Sequence, residues 1–143
     1  MSDWPSVHER VVELFAAGWE RPHPHAWDEL LAEDAEFVQP LLRSGRGRAL
    51  WHQEARRLLA LAPDLRGDVL AWAGRDDVVF VDVRLSATVG GRPLAFRSFD
   101  ELWIGTDGLV LRREASFDPL PVALTLVRRP AGWGRLVRFL VRR

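Results

Sequence analysis

Apolar residues recur at helical spacing through the first part of the chain. The pattern predicts three helices, over 6–19, 25–33 and 50–61. Ser6 and Glu9 have the spacing of a capping box, which would begin the first helix at Ser6. Because all three helices carry an apolar face, each is expected to pack against a common core.

From residue 65 onward the hydrophobic period changes from helical spacing to two, which is typical of half-buried strands. Four long strands are therefore predicted, near 65–73, 77–89, 92–104 and 109–117. The dipeptides Gly90-Gly91 and Asp107-Gly108 separate the last three, as in β-hairpins. A shorter strand is predicted over 35–39, and a glycine-containing loop over 43–48 follows it.

Helices that precede an antiparallel sheet indicate an α+β fold, in which the helices cover one face of the sheet. A curved sheet closed by helices leaves a cavity, where small ligands usually bind. At 143 residues the chain is expected to form a single domain, 1–143. It has neither a secretory signal pattern nor an apolar run of about 20 residues, so a cytoplasmic protein is expected.

The composition excludes several kinds of chemistry. The chain has no Cys, no Tyr and no Lys, which excludes disulfides, cysteine nucleophiles, phenolic acids and Schiff-base lysines. His23 and His25 resemble a metal-binding pair, but no evident ligand set completes them, so neither a metal nor a cofactor is predicted. His52 has two interpretations, a general base beside the cavity or a histidine at the edge of the core.

Three segments resemble the nuclear transport factor 2-like superfamily, in particular its SnoaL-like and ketosteroid-isomerase-like branches. They are 30–40, 98–103 and 107–118, and with the helices the resemblance covers about 6–118. It implies a cone-shaped, cystatin-like roll in which a strongly curved antiparallel sheet wraps three helices around a mostly apolar pocket. It also implies a homodimer. Members include isomerases, cyclases, epoxide hydrolases and non-catalytic binding proteins, so the fold alone does not specify a reaction.

The same resemblance places Asp100 at the position of the neutral acid of ketosteroid isomerases. The position of their base matches Gln39, which cannot take up a proton at neutral pH, and their tyrosine falls near Val11 in a chain without Tyr. Isomerisation of ketosteroids by the familiar route is therefore not expected. In epoxide hydrolases of the limonene type, the corresponding tryptophan and second aspartate match Arg113 and Ala115, so that catalytic triad is missing as well.

If Asp100 faces the cavity, as the resemblance implies, alternation along the two paired strands puts Arg113 on the same inner face of the sheet. As a catalytic pair they could polarise a carbonyl or orient a water, and the competing interpretation is an internal ion pair. Leu111 is expected to face inward as well. Eight further residues are predicted to line the cavity and bind the ligand: Gln39, Trp51, Val83, Leu85, Ser98, Leu102, Ala115 and Phe117.

Two functions are consistent with these residues. The first is a SnoaL-like protein that binds a small hydrophobic molecule with an oxygen function, with isomerisation, cyclisation or hydrolysis as the candidate reactions. The alternative is a non-catalytic ligand-binding or dimerisation module of the same fold. Gln39, Ala115 and the lack of Tyr favour the alternative, whereas the Asp100–Arg113 pair in an apolar cavity favours the first.

The C-terminal extension 119–143 contains six arginines and no acid, so it carries a charge of +6 and the rest of the chain −6. An apolar stripe at helical spacing predicts an amphipathic helix over 133–142: Trp133, Leu136, Val137, Leu140 and Val141. We expect this helix to dock on the acidic body, over the cavity mouth or a dimer seam. Contact of 133–143 with a membrane surface is a less favoured alternative, and no nucleic-acid partner is expected.

Overall fold

The computed structural model describes residues 3–127 together with 134, 137–139 and 141. The elements in chain order are α1 (Trp4–Glu20), β1 (Leu31–Val38), β2 (Gly45–Arg46), α2 (Arg48–Leu61), β3 (Arg66–Arg75), β4 (Val78–Val89), β5 (Arg92–Ile104), β6 (Val110–Ser116) and α3 (Leu120–Val127). The predicted α+β class is confirmed. No helix within the described residues is long and apolar enough to cross a membrane.

The six strands form one curved sheet in the order β2-β1-β6-β5-β4-β3. The antiparallel meander from β3 to β6 agrees with the predicted strands to within two residues at each end. The sheet is not wholly antiparallel, however, because β1 pairs with β6 in parallel. These two strands are far apart in sequence, so no hairpin turn forces them to run in opposite directions.

Both predicted hairpin turns are confirmed. Val89 pairs with Arg92, which leaves Gly90 and Gly91 as a two-residue turn with φ of 58° and 78°. A turn of this kind needs left-handed backbone at both central positions, which glycine adopts without a steric penalty. In the second turn Gly108 has φ 81°.

The first helix begins earlier than the capping box predicted. Asp3 is the N-cap of α1, and its carboxylate accepts hydrogen bonds from the Ser6 N–H at 3.4 Å and the Ser6 hydroxyl at 2.7 Å. Pro5 then lies in the first turn. The N–H groups of that turn have no acceptor within the helix, so the lack of an N–H group in proline costs no hydrogen bond. The prediction that Ser6 is the N-cap is therefore wrong, because the helix already begins at Trp4 and Asp3 caps the free N–H group of Ser6.

The second predicted helix, 25–33, does not form. Residues 24–30 are a series of tight turns, in which the N–H groups of Ala26, Asp28 and Leu30 bond to carbonyls three residues earlier. β1 then begins at Leu31. Pairing with β6 supplies hydrogen-bond partners for the backbone N–H and C=O groups that would otherwise bond within a helix. The predicted loop over 43–48 also contains strand β2, which pairs with β1.

Four aromatic rings form the centre of the core. Trp27 makes edge contacts with Trp19 and Trp51, with ring centroids 4.9 and 5.3 Å apart, and Phe37 stacks on Trp51 at 5.5 Å. All four side chains are buried. Large aromatic rings dominate core energetics, so this cluster holds α1, α2 and β1 against one another.

The predicted helix over 133–142 lies only partly within the described residues, of which 134, 137–139 and 141 are helical. Trp133, Arg135, Leu136, Leu140 and Arg142 lie outside them. Among the described residues the inward face differs from the prediction. Val137 and Val141 are exposed, whereas Phe139, which was not part of the stripe, is buried because it contacts Arg57 on α2.

Candidate functional site

A cavity of about 320 Å³ lies between the inner face of the sheet and helices α2 and α3. Most of its wall is apolar and comes from α2, β4, β5 and α3, including Leu58, Leu61, Leu85, Leu94, Phe96 and Val122. Among the described residues, the polar side chains on this wall are those of Gln39, Ser98 and Arg113. A hydrophobic cavity with a few polar groups at one end is typical of small-molecule sites.

Arg113 supplies the positive charge of the cavity wall. Its strand β6 turns alternate side chains inward, and its guanidinium carbon lies 5.1 and 5.8 Å from the ring centroids of Trp51 and Trp19. Cations over indole rings at these distances are attracted by the negative face of the ring. The two tryptophans therefore stabilise the guanidinium in a place with little access to water.

Asp100 lies behind Arg113 and does not reach the cavity wall. Its carboxylate accepts hydrogen bonds from Arg113 Nε at 2.8 Å and from the Ser98 hydroxyl at 2.6 Å. Only 1% of Asp100 is exposed. The expected pairing of Asp100 and Arg113 on the inner face is present, but Asp100 contacts its two neighbours and is not part of the cavity wall.

Gln39 directly follows β1, and its side-chain amide makes contacts in two directions. Its amide nitrogen donates to the carbonyl of Arg43 at 3.1 Å, which fixes the loop after Pro40. Its amide oxygen lies 3.5 Å from Arg113 Nη1, at the outer limit of a hydrogen bond. The side chain therefore closes the loop and also borders the guanidinium on the cavity wall.

Of the residues predicted to bind the ligand, those on the cavity wall are Gln39, Trp51, Leu85, Ser98, Ala115 and Phe117. Val83 is wholly buried in the core, and Leu102 lines a separate void of about 10 Å³ beneath Arg113. Leu111 is 46% exposed, because a register shift between Trp103 and Ile104 turns it outward. Sequence reasoning missed Leu58 and Leu61, although their helical spacing was a usable signal.

A second buried ion pair lies on α2 beside the cavity. Glu54, only 2% exposed, accepts hydrogen bonds from Arg57 Nη1 at 2.6 and 2.7 Å and from the Arg43 N–H at 3.0 Å. The same Arg57 donates to the carbonyl of Phe139 and lies 4.5 Å above its ring. Phe139 also lines the cavity, so this contact holds part of the C-terminal extension on the cavity wall.

A cluster of two histidines and an aspartate lies outside the cavity wall. His25 Nδ1 is 2.8 Å from Asp28 Oδ2, and His52 Nε2 is 2.7 Å from Asp28 Oδ1. Burial raises the pKa of Asp28, but the hydrogen bonds from His52 and His25 outweigh it and hold that pKa below its ordinary value. His52 is thus turned toward Asp28, which does not support a general base at the cavity. The sequence pattern gave no signal for this cluster, because His52 is far from Asp28 along the chain.

The SnoaL-like domain family matches residues 11–113. The chain belongs to this family. The matched segment runs from the middle of α1 into β6, so it contains Gln39, Ser98, Asp100 and Arg113. No protein among the curated ones matches the sequence.

Solved structures of SnoaL-like and related proteins have the same fold. A protein from Jannaschia sp. CCS1, provisionally named a SnoaL-like polyketide cyclase, is 19% identical, with 91% of this chain and 98% of that chain covered and a TM-score of 0.77. A protein from Catenulispora acidiphila with a ketosteroid-isomerase-like fold, in complex with trimethylamine, is 18% identical, with coverages of 76% and 85% and a TM-score of 0.69. TerC, crystallised with polyporic acid, is 16% identical, with coverages of 82% and 95% and a TM-score of 0.73.

Proposed function

We propose that this SnoaL-like protein binds a small, largely hydrophobic molecule that carries an oxygen function, with the oxygen beside Arg113. The proposal rests on the guanidinium of Arg113, the one charged side chain that the described residues place on a largely apolar cavity wall. The cavity volume of about 320 Å³ falls at the lower end of the range typical of small-molecule sites. The ligand is therefore expected to be compact.

The chemistry of Arg113 indicates which polar group the ligand presents. A guanidinium carries five N–H donors and no acceptor, and here the Nε edge is occupied by Asp100. Among the described residues, the partner of Nη1 is Gln39, at a long 3.5 Å. A ligand oxygen that accepts a hydrogen bond, such as a carbonyl or an enolate oxygen, complements the Nη1 group of Arg113. A ligand N–H or O–H group would instead face the Nη1 N–H, and both donors would stay unpaired.

Proteins of the same fold support a ligand-binding role. The Catenulispora acidiphila protein is in complex with trimethylamine, and TerC was crystallised with polyporic acid. Both share the fold of this chain at low identity, so they support a ligand-binding role without indicating its ligand.

An enzymatic version of the proposal uses Arg113, Ser98 and Asp100 together. Arg113 would stabilise the negative charge that develops on a carbonyl oxygen when a proton leaves the adjacent carbon. The Ser98 oxygen would accept that proton while its own proton passes to Asp100 Oδ1, 2.6 Å away. The product is an enolate held against Arg113 and a neutral Asp100, the common starting point of isomerisation and of cyclisation by carbon–carbon bond formation.

The alternative is a binding protein without catalysis. Within the described residues, the cavity wall has neither a carboxylate nor a histidine, so no ordinary general base lies in direct contact with a ligand. Both carboxylate oxygens of Asp100 are already hydrogen bonded. Hydrolysis of an epoxide is the reaction that this wall favours least, because it requires a base that activates water.

Proton exchange separates the two versions. We expect the protein to bind 1-tetralone, a compact hydrophobic ketone, and the enzymatic version to accelerate exchange of its α-protons in D2O, followed by NMR. Ser98→Ala should abolish the acceleration and retain binding, while Ser116→Ala, on an exposed position of β6, should change neither. Binding without exchange would favour the non-catalytic version, and no binding by any hydrophobic ketone would refute both.

We further propose a homodimer that forms through the outer face of the sheet. Phe80 and Phe99 lie there, 47% and 53% exposed, beside the ion pair of Asp82 and Arg97. Exposed apolar side chains on a sheet face favour association with a second copy. Sedimentation of the protein and of its Phe99→Glu variant tests this, since only the former should dimerise. The cone-shaped roll and the cytoplasmic location stay predictions.

A further inference from the structure

We propose that His25, Asp28 and His52 form a binding site for a divalent transition-metal ion, with Zn²⁺ as the ion of best fit. Each residue offers one ligand atom, and the three atoms lie within 4.8 Å of one another. Two imidazoles and a carboxylate are among the ligand types that Zn²⁺ uses, and three protein ligands leave a coordination position for water.

The separations of the ligand atoms are close to those that the ion needs. In a tetrahedral site with bonds of about 2.0–2.1 Å, neighbouring ligand atoms lie roughly 3.4 Å apart. Here each histidine nitrogen lies 2.7 or 2.8 Å from one oxygen of the Asp28 carboxylate. An ion therefore fits once these two contacts open by less than about 1 Å and each neutral imidazole moves its proton to the opposite ring nitrogen, which frees the nitrogen that faces Asp28.

The backbone holds the ligands in place before any ion binds. His25 and Asp28 belong to the turns between α1 and β1, where the Asp28 N–H donates to the His25 carbonyl at 3.2 Å. Arg48 Nη1 donates to the Asp28 carbonyl at 3.2 Å, which ties the turn to the start of α2. His52 lies one turn further along that helix, and its ring centroid is 4.1 Å from that of His25.

The cluster is open to solvent on one side. The side chain of His25 is 56% exposed, that of Asp28 34% and that of His52 18%. An ion can therefore enter from water and keep a water ligand, while His52 anchors it to the body of the protein. His23 lies outside the cluster, since its Nδ1 accepts a hydrogen bond from the backbone N–H of His25.

A bound ion would join two segments that support the cavity. Trp27 lies in the turn between His25 and Asp28, and Trp51 precedes His52 on α2. Their rings contact each other at 5.3 Å, and Trp51 lies 5.1 Å from the guanidinium carbon of Arg113. Because the ion binds the folded protein and bridges these segments, it should raise the melting temperature.

Titration of ZnCl₂ into the full chain without a polyhistidine tag, in competition with a chromophoric chelator, tests the site. We expect one equivalent to bind. His52→Ala should weaken the affinity by more than about 100-fold, because residues that only orient a ligand are already worth 10–100-fold. His23→Ala is the matched control and should leave the affinity unchanged. Circular dichroism of each variant in EDTA establishes that it is folded, and His25→Ala replaces His52→Ala if the latter is not.

Three results would overturn the proposal. The first is that the wild-type chain binds no Zn²⁺ at micromolar protein concentration. The second is that the affinity survives both His52→Ala and His25→Ala. The third is that His23→Ala loses as much affinity as His25→Ala while His52→Ala loses none, which would put the ion on the exposed 23–25 loop. None of these results depends on what the cavity binds.

Discussion

Arg113 approaches a single carboxylate oxygen of Asp100 with two of its nitrogens, since Nε and Nη2 both lie 2.8 Å from Oδ2. The third nitrogen of the guanidinium, Nη1, does not contact Asp100 and lies near Gln39 instead. Asp100 and Arg113 are only 1% and 7% exposed, so each neutralises a charge that would otherwise be buried alone. The pair is thus a structural unit whose arginine also lines the cavity.

Removal of the guanidinium should destabilise the protein strongly. Arg113→Ala leaves the Asp100 carboxylate buried without its partner, which should lower the free energy of unfolding by about 3–5 kcal/mol. Arg112→Ala is the matched control, because its partly exposed ion pairs with Glu36 and Glu114 are worth about 0–1 kcal/mol. Urea denaturation measures both values. Equal losses for the two variants would mean that the buried pair is solvated.

Replacement of both charges should separate stability from binding. The double variant Asp100→Leu/Arg113→Met removes the two buried charges and keeps a similar side-chain volume. Its free energy of unfolding should therefore lie within about 1–2 kcal/mol of the wild-type value or exceed it. It should nevertheless lose its preference for an oxygenated ligand, because the guanidinium is gone. A double variant as unstable as Arg113→Ala would show that the site cannot repack with apolar side chains.

The contact between Arg57 and Phe139 should hold the C-terminal extension on the cavity. Arg57→Ala removes the partner of the buried Glu54 and the hydrogen bond to Phe139, so it should cost about 3–5 kcal/mol and expose the extension to protease. Arg56→Ala, on the exposed face of the same helix, should change stability by less than about 0.5 kcal/mol. Limited proteolysis that cuts both variants at the same rate would contradict this contact.

The protein should be more stable with glycine than with alanine at position 18, although this position lies in a helix. Helix propensity alone predicts that Gly18→Ala stabilises by about 1 kcal/mol. A Cβ atom there would lie 2.1 Å from Trp27 Nε1, so the indole ring would have to move. We expect a net loss of about 1–3 kcal/mol and a changed near-ultraviolet circular dichroism spectrum. A gain in stability would show that Trp27 is free to shift.

The sequence predicted the part of the fold that depends on local signals. Strands β3 to β6 follow from alternation and two turn dipeptides, and the hairpin of β5 and β6 then brings Asp100 and Arg113 to one face. Features that join distant segments were not predictable. The pairing of β1 with β6, the position of Phe139 on the cavity wall and the contact of His52 with Asp28 all depend on tertiary packing.

The same limit explains the errors within elements. The apolar spacing of 25–33 fits a helix, but its last residues gain more from pairing with β6. Alternation assigned Leu111 to the inner face, and a register shift that no local residue signals turned it outward. Period-two patterns are reliable only as far as the next β-bulge.

Arg113 should select a ligand with an oxygen function within the largely apolar cavity. 9-Fluorenone and fluorene have nearly the same shape and differ in one carbonyl oxygen. Thermal unfolding followed by circular dichroism, with each compound at equal concentration, measures their binding through the shift in melting temperature. We predict a larger shift for fluorenone with the wild-type chain and equal shifts with Asp100→Leu/Arg113→Met. Equal shifts with the wild type, or no shift with either compound, would contradict this role of Arg113.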